Sequence, residues 1–161
     1  MATDCRFARA ASKISSNLER VGDETTTLVR RVRLLNQEPP LQPLEGFPEM
    51  GQMALAMLHD SISVFIENKP ELAMEIIARD AAVDELDRRL TQELTELMKQ
   101  SDTHISRCLH LMRIVKCVER IADHASNIAE DVYYLYRGRD IRHGHGEDES
   151  IQPAPGRPEG F

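Results

Sequence analysis

A single apolar row governs what this chain can fold into. Leu111, Ile114, Val118, Ile121, Ala125, Ile128, Val132 and Leu135 recur every three or four residues. That spacing matches the α-helical period of about 3.6 and not the strand period of about 2, so one stripe of a long helix must be buried against other helices. A related row, Ile14, Leu18, Val21, Leu28, Val32 and Leu35, precedes it. At an offset of one hundred, seven pairs are identical: Thr3/Thr103, Ile14/Ile114, Glu19/Glu119, Arg20/Arg120, Asp23/Asp123, Val32/Val132 and Leu35/Leu135. An internal repeat of this kind means one structural unit used twice.

The breaks between helices are equally plain. Glu38-Pro39-Pro40, Pro43, Gly46 and Pro48 end the first helix and form a linker. A second helix is expected over 48–67, with Met53, Met57, Leu58, Ile62 and Phe65 for packing. Asn68-Lys69-Pro70 marks a turn, with Pro70 in the first turn of a third helix that carries Ile76, Val83, Leu86, Leu90 and Leu97. Ser101-Asp102-Thr103 supplies a break and candidate caps, and Gly138 a stop after Arg137. With 4% aromatics, no Trp and eight Gly in 161 residues, the expected fold is all-α. Residues 1–37 form the last helix of an incomplete first repeat, 38–48 a Pro-rich linker, and 49–138 a complete three-helix repeat. Residues 139–161, without periodicity, form a disordered tail.

The net charge of −7 argues against a nucleic-acid scaffold, since no basic block offsets it. It suits a cation or a basic protein partner. Cys5, Cys108 and Cys117 form no CxxC pair, as expected for reduced thiols in a cytoplasmic protein. The longest apolar run, Met53 to Leu58, is far short of a membrane span, and the N-terminus lacks the apolar core of a signal peptide.

Glu19 and Asp23, and again Glu119 and Asp123, stand four apart and so share a helix face. Asp80 and Asp84 repeat the spacing on the third helix. Counted outward from the turn near 100–102, this pair falls level with Glu119 and Asp123 across the groove between antiparallel helices. With Asn127 they make an all-oxygen, anionic cluster, a ligand set for iron, manganese, magnesium or calcium; zinc is less favoured without a Cys pair. The plain alternative is a solvated acidic helix face. Glu19 and Asp23 would lack a partner helix. His143 and His145, with Glu147 and Asp148, are tail composition rather than a chelate. Met50, Met53 and Met57 are core filler, and Cys108 and Cys117 are inert. No phosphate-binding Gly loop, nucleophile elbow or Glu-x-x-His pair is present.

Val118-Glu-Arg-Ile-Ala-Asp-His-Ala-Ser-Asn-Ile-Ala-Glu-Asp131 resembles the signature helix of the PhoU family. Leu18-Glu-Arg-Val-Gly-Asp23 and Asp80-x-x-x-Asp84 resemble it too. The resemblance implies tandem three-helix bundles whose acidic helix pairs can hold iron or zinc on the bundle surface. Carried over by position, Asp80, Asp84, Glu119, Asp123 and Asn127 would be the intact metal site, and Glu19 and Asp23 an incomplete second one. It further implies a non-enzymatic negative regulator of phosphate uptake and phosphate-starvation signalling. Its implied partners are the ATPase of a phosphate ABC transporter and a membrane sensor kinase, without nucleic acid or membrane insertion. The apolar stripe from Ile14 to Val32 would be poorly covered in this chain, which predicts a homo-oligomer through the N-terminal helix. Two rivals are a metal-free helical interaction module and a metal-dependent phosphatase using Arg88, Arg89, Arg113 or Arg120.

Overall fold

A computed structural model describes the backbone of residues 2–138 and the side chains of residues 5–138. The tail expected over 139–161, with its histidines, lies outside the described residues. Four helices account for nearly all of the rest: α1 (Ala2–Leu35), α2 (Phe47–Glu67), α3 (Ala73–Gln100) and α4 (Ile105–Arg137). Pro70 begins a single 3-10 turn, Pro70–Leu72, rather than α3 itself. A second such turn, Asp102–His104, starts where Ser101 Oγ accepts the Thr103 N–H.

The stops are those that residue chemistry demands. Asn68 (φ 57°) and Gly138 (φ 67°) close α2 and α4 in left-handed geometry. Their N–H groups donate to the carbonyls of Val64 and Tyr134, and Val64 also accepts from the Lys69 N–H at 3.2 Å. Gly46, at φ 90°, precedes α2, with Pro48 in the first turn.

The helix α4, about 50 Å long, is the centre of the fold: α1, α2 and α3 each pack on it, and α2 also packs on α3. Its Val115, Ala122, Ala125, Ile128, Ala129 and Val132 are fully buried. Met50 and Met57 of α2 and Ile76, Val83, Leu90 and Leu94 of α3 fill the space beside it. Met50 and Met57 are thus core, as expected, while Met53 is only partly covered. The thiols of Cys108 and Cys117 are buried and pushed above the usual range by desolvation, Cys117 to about 11, which leaves them unreactive.

The repeat becomes a packing rule in the α1–α4 pair. Asn17 meets His124, Glu24 meets Cys117, and Arg31 meets His110. Each rise of seven on α1 is matched by a fall of seven on α4, which is an antiparallel seam with a seven-residue period. Residues 17 and 24 of α1 are the repeat mates of 117 and 124 of α4, so a local twofold relates the two helices. This seam buries Ile14 and partly covers Val21, Leu28 and Val32, so the α1 stripe is better covered than the sequence leads one to expect. Leu18 and Val29, pointing off the seam, remain 39% and 43% exposed. At the start of α1, Phe7 stacks on Phe65 of α2 with ring centroids 6.1 Å apart.

Candidate metal centre on helices α3 and α4

Antiparallel packing of α3 on α4 brings the two acidic pairs to one level. Lys116 Nζ lies 3.7 Å from Asp87 Oδ2 of α3 and 2.9 Å from Glu119 Oε1 of its own helix, and that contact sets the register of the groove. One step further along, Asp80 sits within electrostatic reach of Asp84, Asp123, Glu119 and Glu130. Burial and then these four neighbours, in that order, push the Asp80 carboxyl up to about 6. Spacing along the sequence predicts that these residues meet, and the fold brings them together.

The individual side chains differ in readiness. Glu119 is 18% exposed; its Oε1 takes the Lys116 ammonium, while its Oε2 is buried without a hydrogen-bond partner. Asp84 and Asp123 are exposed on either side of the groove. Asn127 Nδ2 donates to the Asp123 carbonyl at 2.8 Å, so its amide is directed to its own helix. Among the described residues, no three His, Cys, Asp or Glu side chains stand close enough to share an ion as placed. The donor chemistry nevertheless fits a hard or borderline cation: a desolvated carboxylate, a buried oxygen without a partner and two exposed acids. Asp84, Asp123 and Glu119 would have to close on the ion by rotation about their side-chain bonds. His124 is turned away, its Nδ1 3.1 Å from Asn17 Oδ1 in the α1–α4 seam.

Glu19 and Asp23, the repeat mates of Glu119 and Asp123, are exposed on α1. Among the described residues no counterpart of α3 lies beside them. Two residues of consequence belong to no motif that the sequence shows. Lys116 is signalled by its i,i+3 spacing to Glu119, a pairing any helical wheel displays. Glu24 is only 13% exposed between α1 and α4; it accepts from Arg120 Nη1 at 2.8 Å and lies 3.9 Å from Arg113 Nη2. Its position in the seam is the only signal, and that needs the pairing of α1 with α4.

Arg113 and Arg120, candidate clamps for a phosphatase, are both directed to Glu24 in the α1–α4 seam. Arg88 pairs with Glu85 on the outside of α3 at 2.6 Å, and Arg89 lies against Gly46.

Comparison with known proteins agrees with this architecture. The PhoU domain profile matches residues 47–132, more than half of the chain. The chain belongs to the PhoU family. It is 36% identical over 141 residues to the phosphate-specific transport system accessory protein PhoU homolog of Zymomonas mobilis. That match covers 88% of this chain and 60% of the relative. The Aquifex aeolicus homolog is 39% identical over 144 residues, covering 89% and 65% respectively. The crystal structure of PhoU from Pseudomonas aeruginosa superposes with a TM-score of 0.79 at 33% identity, covering 84% of this chain and 65% of that one. The phosphate transport system regulatory protein PhoU from Streptococcus pneumoniae does so with 0.81 at 29% identity, covering 89% and 68%. The chain thus spans about 60% of the length of the first curated relative it matches. As in those proteins the fold is helical, and among the described residues no helix is long and apolar enough to cross a membrane.

Proposed function

We propose that this PhoU-family chain regulates phosphate uptake and phosphate-starvation signalling by docking on other proteins. The proposed partners are the phosphate transporter ATPase and a membrane sensor kinase, with the protein acting from the cytoplasm as a negative regulator and not as an enzyme. A metal ion, iron or zinc first and manganese, magnesium or calcium as alternatives, would be held on α3 and α4 by Asp80, Asp84, Glu119 and Asp123, with Asn127 at the edge. Bound there, the ion would supply positive charge that locks the two acidic helices together. Asp80 carries this reading: five carboxylates crowd one groove, and its proton is held to about 6. Perturbed carboxylates with a burial cause and named charge partners gather at functional sites, which is what supports the reading.

Lys116 favours a second reading without metal, because its ammonium already offsets Glu119 and Asp87. The acids would then be a docking face for a basic partner. Elemental analysis of untagged protein beside an Asp84→Ala/Glu119→Ala variant separates the two. Metal near stoichiometric amounts in the parent and absent from the variant supports the ion. No metal in either one leaves the docking face. Retention of the transporter ATPase by the parent chain tests the partner assignment directly.

Self-association through α1 belongs to the same proposal, since Leu18 and Val29 are exposed along one side of that helix. A single monomeric species by sedimentation at micromolar concentration would remove it.

A further inference from the structure

The helices α1 and α2 both pack on α4, but their backbones do not meet. The stack of Phe7 on Phe65 bridges them near one end. On α4, His110, Cys117 and His124 face α1. Leu111 lines a cavity with Phe47 and Pro48 of α2, so the row Leu111, Val118 and Ala125 faces that helix. Ile121 stands four residues past Cys117 and three past Val118, which places it between the two rows. It is partly exposed, whereas Ile114 and Ile128 on either side are buried. The contacts Asn17–His124 and Glu24–Cys117 set Ile121 level with the turn of α1 that carries Leu18 and Val21. Phe47 beside Leu111 at one end, and Asn68 bonded to Tyr136 at the other, set it level with Leu55 of α2. Leu18, Ile121 and Leu55 therefore stand in line across a shallow trough, with Leu18 39% and Leu55 68% exposed. Val29 on the α1 side and Ile66 on the α2 side extend it, at 43% and 64%. The α1 wall follows Ala11, Leu18, Gly22, Thr25 and Val29, and the α2 wall Leu55, Leu58, Ile62 and Ile66. Neither row holds a charge, in a chain where 29% of residues do.

The repeat says what such a trough takes. The row of α4 that lies under α2 is Leu111, Val118 and Ala125, and its repeat mates on α1 are Ala11, Leu18 and Thr25. Ala125 is fully buried and Val118 only 6% exposed, but Leu18 and Thr25 are open. Thus α1 keeps the row on which α4 receives α2, and among the described residues no helix lies on it. Beside that row, α2 has an apolar flank of its own to spare. One molecule therefore offers a row that accepts a helix like α2, together with the free flank of an α2. Two copies satisfy both needs at once in a self-complementary twofold contact. We infer that the α1–α2 trough is the interface between two copies of this chain, with α2 of each laid on α1 of the other. This rests on the self-association proposed above, and replaces contact of α1 with α1 by a reciprocal contact of α2 with α1. Each such contact runs the length of α2, about 30 Å. Asp123 lies two residues past Ile121, about 160° round α4, so the acidic grooves of both copies stay open on the outside.

The test is sedimentation velocity of the whole chain across micromolar concentrations. The parent should form a dimer. Leu18→Glu/Val29→Glu and Leu55→Glu/Ile66→Glu each place two carboxylates in an apolar contact, and each should weaken association by more than about tenfold. Met74→Glu/Leu109→Glu makes the same change of charge at positions 47% and 55% exposed away from the trough, and should alter association by less than about twofold. All six positions are exposed, and circular dichroism with a thermal melt confirms that each variant keeps the fold. A monomeric parent overturns both this inference and the self-association it rests on, and leaves the trough to a different protein. A dimer broken at Leu18 and Val29 but not at Leu55 and Ile66 keeps self-association through α1 and overturns the reciprocal contact. Loss of the dimer in all three variants, in none of them, or a parent larger than a dimer also overturns it.

Discussion

Asp80→Asn should make the metal-free protein more stable at neutral and alkaline pH, and its advantage should fade in acid. The Asp80 carboxyl is moved from 3.8 up to about 6, by burial first and then by Asp84, Asp123, Glu119 and Glu130. A raised carboxyl means that the folded chain holds a proton which the unfolded chain has lost. Stability therefore falls as pH rises from about 3.8 to about 6, and the full penalty persists above that. A displacement of that size sets a ceiling of about 3 kcal/mol on the penalty. Solvent reaches the groove, so screening reduces it to about 1–2 kcal/mol. Asn keeps the shape and cannot ionise, so it should recover that amount, a rise of about 3–6 °C in Tm for a chain of this size. Urea unfolding with a chelator present, at about pH 8 and about pH 4, measures both ends. A divalent ion should reverse the order at pH 8, stabilising the parent and not the variant. The reasoning fails if Asp80→Asn is no more stable than the parent at pH 8 without metal, or if its advantage is equal at both pH values.

Ile128→Ala, at a fully buried position of α4, should cost about 2–5 kcal/mol in urea unfolding. Glu24→Ala should cost about 1–3 kcal/mol by the same assay, because it leaves Arg113 and Arg120 beside each other without their shared carboxylate. Burial opposes the Glu24 charge, but hydrogen bonds from Arg120 and Cys117 and the charges of Arg120 and Arg113 outweigh it and hold the carboxyl below its usual range. The stability that Glu24 contributes should therefore be present at neutral pH and lost as pH falls through that lowered value. Gly46→Ala should lower the melting temperature by the equivalent of about 1–2 kcal/mol, since φ is 90° there and a Cβ would meet the Arg89 guanidinium. Adding Arg89→Ala should restore only the steric part of that loss.

The helices and their ends were legible because each rests on short-range chemistry. An apolar row at three and four, a Pro pair and a Gly after Arg137 act locally, and the helix limits follow them within a residue or two, Pro70 excepted. The acidic groove was legible for a related reason: a short turn between α3 and α4 converts counting along the chain into height along the bundle. Glu24 and Arg107 were not. Arg107 is 8% exposed and donates to the carbonyls of Pro39 at 2.8 Å and Thr103 at 2.9 Å, pinning the linker to the start of α4. Nothing local distinguishes it from an exposed Arg, because its role depends on where residue 39 arrives.

The arginines along α1 and α4 show a subtler limit. Apart from Arg30, Arg31 and Arg33 they are spread singly through α1 and α4, and the net charge points the other way. The repeat decides what becomes of them. A helix with a buried seam has two flanks, and a duplicated helix carries Arg20 and Arg120 on the same one. Had α1 and α4 packed in parallel, the flank bearing Arg20 would have met the opposite flank of α4. Antiparallel packing about a local twofold sets like flank beside like flank, so Arg20 and Arg120 come to one side, each with an exposed Asp three residues on. The placing of these charges is thus a consequence of duplication combined with helix direction, and direction is the one term that composition and spacing do not contain.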